Sequence, residues 1–104
     1  MYARVVTFRG QPNKIQEGLR KLEDSIPTLR RIQGFQDLYC LTDQKTGNCV
    51  IVALWDSEQL LQRGSDAVQP VRDDVTRAFG SSGQPKIEVY EVSHSPGQAM
   101  RKAA

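Results

Sequence analysis

Residues 49–55 read Cys-Val-Ile-Val-Ala-Leu-Trp and contain the longest apolar run of this chain. Alternate side chains of a β-strand point to opposite faces of the sheet, and here both sets are apolar. One set is Cys49, Ile51, Ala53 and Trp55, and the other is Val50, Val52 and Leu54. Because an antiparallel strand with one face in water alternates apolar and polar residues, this stretch predicts a strand that is covered on both faces.

The preceding segment predicts the hairpin partner of this strand. Phe35 to Thr42 has strand composition, and Asp43 to Asn48 carries an Asp to start a turn and a Gly to take positive φ. These are the residues of a tight hairpin, so the two strands should pair antiparallel. The pairing would bring Cys40 near Cys49, and we expect both thiols to be reduced, since small disulfide scaffolds carry more cysteines.

The first helix is predicted from apolar residues at steps of three and four: Ile15, Leu19, Leu22, Ile26, Leu29 and Ile32. Asn13 is its predicted N-cap, with Gln16 reaching back as in a capping box. Pro27 lacks the N–H of an intrahelical bond, which predicts a kink or break and a resumption through Arg31. Gly34 is expected to end the helix as its C′ residue.

The remaining elements complete a βαββαβ order. The first strand is predicted at Tyr2 to Arg9 and the last strand at Lys86 to Val92. Helical pieces are expected at 57–65 and 69–79, joined by a bend. The order predicts an α+β, ferredoxin-like fold with a four-stranded antiparallel sheet and both helices on one face. We expect a single domain over residues 1–93 and a flexible C-terminal tail over residues 94–104.

Two helices can cover only one face of the sheet, and the other face is also apolar. Leaving that face in water would expose a larger apolar patch than monomers tolerate. A second copy of the chain is the simplest cover, because most soluble oligomers are symmetric homodimers. A homodimer is therefore predicted.

Charge and hydropathy exclude two classes of partner. Fourteen basic and twelve acidic residues give a net charge of +2, and they are spread along the chain without a basic block. A nucleic-acid interface would need such a cluster. The apolar run at 50–55 is far shorter than the roughly 20 residues that span a bilayer. Without an apolar leader, the expected location is the cytoplasm.

Three short motifs carry a resemblance to a known family: Gly34-Phe35, the hairpin Asp43 to Gly47, and Trp55-Asp56-Ser57-Glu58. With the element order, they make the chain similar to antibiotic biosynthesis monooxygenase-like domains of the dimeric α+β barrel superfamily. The resemblance implies a pocket between sheet and helices, with Trp55 on the helix side. It implies that Val50, Val52 and Leu54 lie at the dimer interface.

The resemblance also implies a range of activities. Some relatives oxygenate quinol-type aromatic substrates without metal or flavin, the deprotonated substrate supplying electrons to O₂. Others degrade haem, and many have no known activity. The haem-degrading branch has an Asn on the first strand and a His on the second helix, and this sequence has neither. Fold similarity alone does not choose among the rest.

Four side chains are candidates for binding a substrate. Trp55 can stack on a flat ligand and donate its N–H, although it can equally anchor the second helix in the core. Tyr39 and Tyr90 can donate phenolic hydrogen bonds, but they can also be sheet-surface aromatics. Arg4 can stabilise a bound phenolate, whereas a surface position paired with Glu88 or Glu91 is the structural alternative.

Catalytic residues are not identified by the sequence. His94 is the only histidine, and its neighbours Ser93, Ser95 and Pro96 predict an exposed, loosely held position. One His and two Cys give no zinc-ligand spacing, so no metal is expected. Phosphate-loop and dinucleotide glycine patterns are missing, so no cofactor is expected. The predicted function is cofactor-independent oxygenation of a small, flat aromatic or quinol-type molecule, and the alternative is a non-catalytic small-molecule-binding or stress-associated protein of the same fold.

Overall fold

The computed structural model of the protein describes residues 1–81 and 83–94. The strands and helices follow one another in the predicted βαββαβ order. The second helix of that order consists of two pieces, which gives four strands and three helices in all. Their bounds are β1 Tyr2–Arg9, α1 Ile15–Arg30, β2 Phe35–Thr42, β3 Asn48–Trp55, α2 Glu58–Ala67, α3 Gln69–Ala78 and β4 Lys86–Glu91.

The four strands form one antiparallel sheet in the order β2-β3-β1-β4. β1 lies in the centre, with Tyr2 opposite both Trp55 of β3 and Glu91 of β4. A β-bulge between Phe35 and Asp37 shifts the register at the start of β2. This topology is the ferredoxin-like α+β fold, which confirms the predicted fold class.

The helices pack on one face of the sheet. The core there joins Val6, Phe8 and Cys49 of the sheet to side chains of α1 and to Val75 and Phe79 at α3. The Phe8 and Phe79 rings meet edge to face, with 5.3 Å between their centroids. None of the helices in the described residues is both long and apolar enough to cross a membrane.

The start of α1 differs from the prediction. A short 3₁₀ turn at Pro12–Lys14 precedes the helix, and no side chain caps either element. Asn13 lies inside this turn, so the predicted cap by Asn13 and Gln16 was wrong. Pro12 is the first residue of the 3₁₀ turn, and its fixed φ favours helical backbone. The helical backbone therefore begins one residue before Asn13. The Gln11 N–H donates to the Phe79 carbonyl (2.8 Å), which fixes where the chain turns.

At Pro27 the prediction was a kink or a break, and the break was wrong, because α1 runs continuously to Arg30. Pro27 lies near the end of the helix on its exposed side, so only the carbonyl of Glu23 loses an intrahelical donor, and Glu23 is exposed to water. The helix ends before Gly34, which is therefore not its C′ residue. Gly34 instead takes a φ of +89° in the turn to β2, where its carbonyl accepts from the Asp56 N–H (2.8 Å).

The hairpin is confirmed by its turn. Asp43 Oδ1 accepts from the N–H groups of Lys45 (2.9 Å) and Thr46 (3.3 Å), and Gly47 has a φ of +84°. Cys40 lies opposite Ile51 and Thr42 lies opposite Cys49, so the two cysteines are diagonal neighbours rather than a direct pair. Both are free thiols.

The two helical pieces after β3 are confirmed to within two residues at each end. Ser57 caps α2, its side chain accepting from the Leu60 N–H (3.2 Å). Val68 separates α2 from α3. The predicted tail at 94–104 lies outside the described residues except for His94, and the single domain over residues 1–93 stays a prediction.

Candidate functional site

A cavity lies between the sheet and the helices at the end of the sheet where β3 finishes. It holds about 580 Å³ of space free of protein atoms, including the part open to solvent. Most of its walls are apolar, with contributions from three strands and from α1 and α3. The lining side chains are Arg4, Val6, Leu22, Ser25, Leu29, Phe35, Leu38, Ile51, Ala53, Trp55, Val68, Val71, Arg72, Val75 and Thr76.

Trp55 forms one wall of this cavity and also anchors α2. Its side chain is only 2% exposed, and Phe35 meets it edge to face with 5.5 Å between the ring centroids. Its Nε1–H is buried and has no acceptor within residues 1–81 and 83–94. A buried donor without an acceptor is unfavourable, so a carbonyl or hydroxyl oxygen of a ligand, or a water molecule, would stabilise this site.

Arg4 is the second candidate that the fold brings to the cavity. It lies in central strand β1 on the helix side, and it is 7% exposed. The alternative of a surface position was therefore wrong. Pairing with Glu88 or Glu91 was wrong as well, since neither carboxylate forms an ion pair with Arg4; they accept from Tyr90 and Tyr2 instead. Within the described part of the chain, no carboxylate lies within 4.0 Å of the Arg4 guanidinium.

Arg72, Ser25 and Thr76 also line the cavity, and none was a candidate from the sequence. The two hydroxyls are occupied by the helix backbone: Ser25 donates to the Leu22 carbonyl (2.6 Å), and Thr76 donates to the Arg72 carbonyl (3.1 Å). A signal for Arg72 did exist. It follows Val71 and lies four residues after Val68, so it occupies the apolar stripe of α3.

Tyr39 and Tyr90 are not at the cavity. They lie on the opposite face of the sheet and are 51% and 52% exposed. Tyr39 donates to Asp37 Oδ2 (3.1 Å) and Tyr90 donates to Glu88. The hydrogen bond to Glu88, with burial and the negative charge of that carboxylate, raises the pKa of the Tyr90 phenol. His94, just after β4, is exposed and does not line the cavity.

The face of the sheet that the helices leave uncovered is largely apolar. Val50, Val52 and Leu54 lie there in a row and are partly exposed. Tyr39 and Leu41 extend the patch onto β2, and Leu41 is 58% exposed. We call these five residues the outer patch.

Among the described residues that line the cavity, none is a proton acceptor suited to catalysis near neutrality. The ionisable ones are Arg4 and Arg72, and guanidinium groups stay protonated in proteins. Cys40 packs against the neighbouring core, and burial first, then the charge of Cys49, raises the pKa of its thiol to about 11. No group of three or more His, Cys, Asp or Glu side chains placed to hold a metal occurs in the described residues.

Comparison with known sequences gives relatives that are themselves uncharacterized. No protein-family model matches the chain. Two uncharacterized proteins of Mycobacterium tuberculosis are 28% and 26% identical to it over 94 residues, or 89% of this chain. Those alignments cover 41% and 39% of the relatives. The chain thus spans about two fifths of the length of these curated relatives.

Comparison with solved structures gives many similar folds. A monooxygenase of Streptomyces coelicolor in complex with the ligand nanaomycin D has a TM-score of 0.70 at 20% identity, over 90% of this chain and 88% of that one. A candidate antibiotic biosynthesis monooxygenase of Bordetella bronchiseptica has a TM-score of 0.73 at 13% identity, over 89% and 97% of the two chains. A conserved protein of Methanosarcina mazei has a TM-score of 0.70 at 15% identity, over 86% and 90%.

Proposed function

We propose, on the premise that this chain has the fold of the antibiotic biosynthesis monooxygenase domains, that it binds a small flat aromatic molecule of the quinol type and oxygenates it without metal or flavin. The observation that carries the proposal is the meeting of Trp55 and Arg4 in one apolar cavity. Ligand cavities are commonly apolar with a few polar groups that fix orientation. Here those groups are a buried cation and a buried indole N–H.

The binding mode follows from the walls of the cavity. Phe35 and Trp55 present aromatic surface next to aliphatic side chains of α1 and α3, which suits a flat, mostly apolar molecule. An oxygen substituent on that molecule would accept from Trp55 Nε1–H or from Arg4. These are the only kinds of polar contact that the proposal needs.

The chemistry uses the substrate as the source of electrons. Positive charge at Arg4 and Arg72 favours the phenolate over the phenol, and the phenolic proton leaves to solvent because the described lining residues provide no base. The electron-rich phenolate then reduces O₂. Overall the substrate loses two hydrogens and gains one oxygen atom as a carbonyl, and the second oxygen atom leaves as water. The substrate supplies all four electrons, so no other reductant is needed.

The described side chains that line the cavity also support a second function. A protein that only binds the molecule would need the apolar walls and the donors but no acid or base. The lack of a titratable acid or base among the described lining residues favours this alternative. Such a protein would be a non-catalytic small-molecule-binding or stress-associated member of this fold.

Oxygen uptake distinguishes the two functions. We would measure O₂ consumption with quinols and hydroxynaphthalenes, including 1-naphthol, which would yield 1,4-naphthoquinone at one O₂ per product. The Arg4→Gln variant should lose the activity, and the matched variant Arg9→Gln, on the same strand but exposed, should keep it. No uptake with any substrate, together with ligand-induced quenching of Trp55 fluorescence, would reject the oxygenase and leave the binding protein.

The homodimer is part of this proposal. The outer patch supports it, because five partly or largely exposed apolar and aromatic side chains lie together on one sheet face. A second copy packed through Val50, Val52 and Leu54 would cover it. The free thiols of Cys40 and Cys49 support a reducing compartment, so the cytoplasm stays the predicted location.

A further inference from the structure

We infer that the ligand of this cavity carries a carboxylate group and that Arg4 and Arg72 bind it. The inference rests on the proposed function only in using the same cavity as a ligand site, and it adds the chemical class of the ligand: a flat aromatic carboxylic acid. Neither oxygenation nor release of a phenolic proton is required for it.

The first observation is the concentration of positive charge in an apolar enclosure. Two of the fifteen lining residues are arginines, and the described lining residues include no Asp or Glu. On the sheet, Arg4 lies opposite Ala53 of β3 and Val89 of β4, whose side chains cannot accept hydrogen bonds. Glu91, the next helix-side residue of β4, accepts from the Tyr2 hydroxyl (3.1 Å) and is not within 4.0 Å of the Arg4 guanidinium. The cavity therefore carries a charge of about +2 from its own walls.

The second observation is the depth of Arg4. It lies in the central strand at 7% exposure, whereas Arg9 at the end of the same strand is exposed and donates to the Thr46 carbonyl (3.3 Å). Among residues 1–81 and 83–94, no carboxylate lies within 4.0 Å of its guanidinium. A buried charge in such surroundings is costly, and arginine cannot lower this cost by losing its proton. Such a residue at a ligand cavity is explained when an anion enters and pairs with it.

Guanidinium geometry selects the kind of anion. Its N–H donors lie in a planar fork that matches the two oxygens of a carboxylate in a bidentate contact. A carboxylate attached to a ring is coplanar with it or nearly so. The ring can then lie against Phe35 and Trp55 while the acid group faces the arginines. Arg72, on α3, is half-buried and would supply the second contact.

Matched charged and neutral probes test this inference. Anthraquinone-2-carboxylate and anthraquinone-2-carboxamide are flat, nearly isosteric and already oxidised, so they report binding without oxygen chemistry. Quenching of Trp55, the only tryptophan, gives both dissociation constants. We expect the carboxylate to bind at least tenfold more tightly than the amide at low salt.

Variants locate the source of that preference. Arg4→Gln should reduce the carboxylate preference to less than threefold, and Arg4→Lys should keep only part of it because the bidentate fork is lost. Arg72→Gln, at a less buried position, should reduce it partially and provides a test if Arg4→Gln does not fold. Arg9→Gln should leave it unchanged, as should Arg77→Gln, which is exposed on α3.

Each outcome decides the inference. Equal affinities for the two probes, absence of binding by either probe at millimolar concentration, or a preference that survives both Arg4→Gln and Arg72→Gln would overturn it. An Arg4-dependent carboxylate preference without oxygen uptake would uphold it while rejecting the oxygenase. Oxygen uptake with neutral quinols and no carboxylate preference would do the reverse.

Discussion

Gly64 of α2 lies directly against the indole of Trp55: a Cβ at residue 64 would overlap with Cη2 and Cζ3 of the ring. The missing side chain lets α2 approach the sheet closely enough to hold Trp55 between the helix and Phe35. The wall of the cavity thus depends on a glycine that does not line it. Position 64 requires glycine for space rather than for backbone conformation.

Gly64→Ala should lower the free energy of unfolding by about 1–3 kcal/mol, because the added methyl group forces Trp55 or α2 to move. This would occur although alanine favours a helix interior over glycine by about 1 kcal/mol. Guanidinium chloride denaturation measures the change. The control is Gly83→Ala, where a Cβ meets nothing within 4 Å and stability should stay within about 0.5 kcal/mol. An unchanged Gly64→Ala protein would show that the contact is loose.

Arg4→Met should raise the free energy of unfolding by about 1–3 kcal/mol in the absence of ligand, because it removes a buried charge and keeps the apolar volume. Urea denaturation at neutral pH provides the measurement. Arg9→Met, exposed at the end of the same strand, should change stability by no more than about 0.5 kcal/mol. A clear loss of stability in Arg4→Met would mean that Arg4 has a stabilising partner in the free protein.

Val52→Lys should convert a dimer into monomers, since it places a charge in the middle of the outer patch. Sedimentation velocity should show about twice 11.7 kDa for the native protein and about 11.7 kDa for the variant. Gln62→Lys, which adds the same charge at an exposed site on α2, should remain a dimer. A folded native monomer at low micromolar concentration would contradict the proposed assembly.

Both cysteines should react slowly with an aromatic disulfide reagent in the folded protein. Burial, followed by the charge of Cys49, raises the pKa of Cys40 to about 11, and burial also raises the pKa of Cys49. The thiolate is the reactive form, so at pH 8 the thiolate fraction of Cys40 is about a hundredfold below that of an ordinary thiol with a pKa near 9. Labelling should speed up as the pH rises toward 11, and it should be fast at pH 8 in urea. Fast labelling of the native protein at pH 8 would contradict this.

The fold was predictable because its signals are local. β3 has apolar residues on both faces, and the Asp43 to Gly47 turn fixes the hairpin through its own side chain and backbone. The errors were also local in origin. Asn13 and Gly34 have the right chemistry for helix caps, but Pro12 and the contact with Phe79 start the turn earlier, and α1 ends before Gly34 is reached.

The site was only partly predictable, because it depends on which face each strand presents to the helices. In the alternation of β1, Arg4 belongs to the same set of side chains as Val6 and Phe8, yet its charge favoured a surface position. The sheet places Arg4 on the helix side of a central strand. Tyr39 and Tyr90 have the chemistry of substrate donors, but their register puts them on the outer face. For these residues, side-chain chemistry and the alternation along the strand predicted different faces of the sheet. The alternation determined the face on which each side chain lies.

The end of the sheet away from the cavity is held by backbone atoms. The Gly10 N–H donates to the Gly47 carbonyl (2.7 Å), the Gln11 N–H donates to the Phe79 carbonyl, and the Phe79 ring is fully buried beside them. No residue of this clasp lines the cavity. Substitutions of the lining side chains can therefore change the ligand without removing a contact of the clasp.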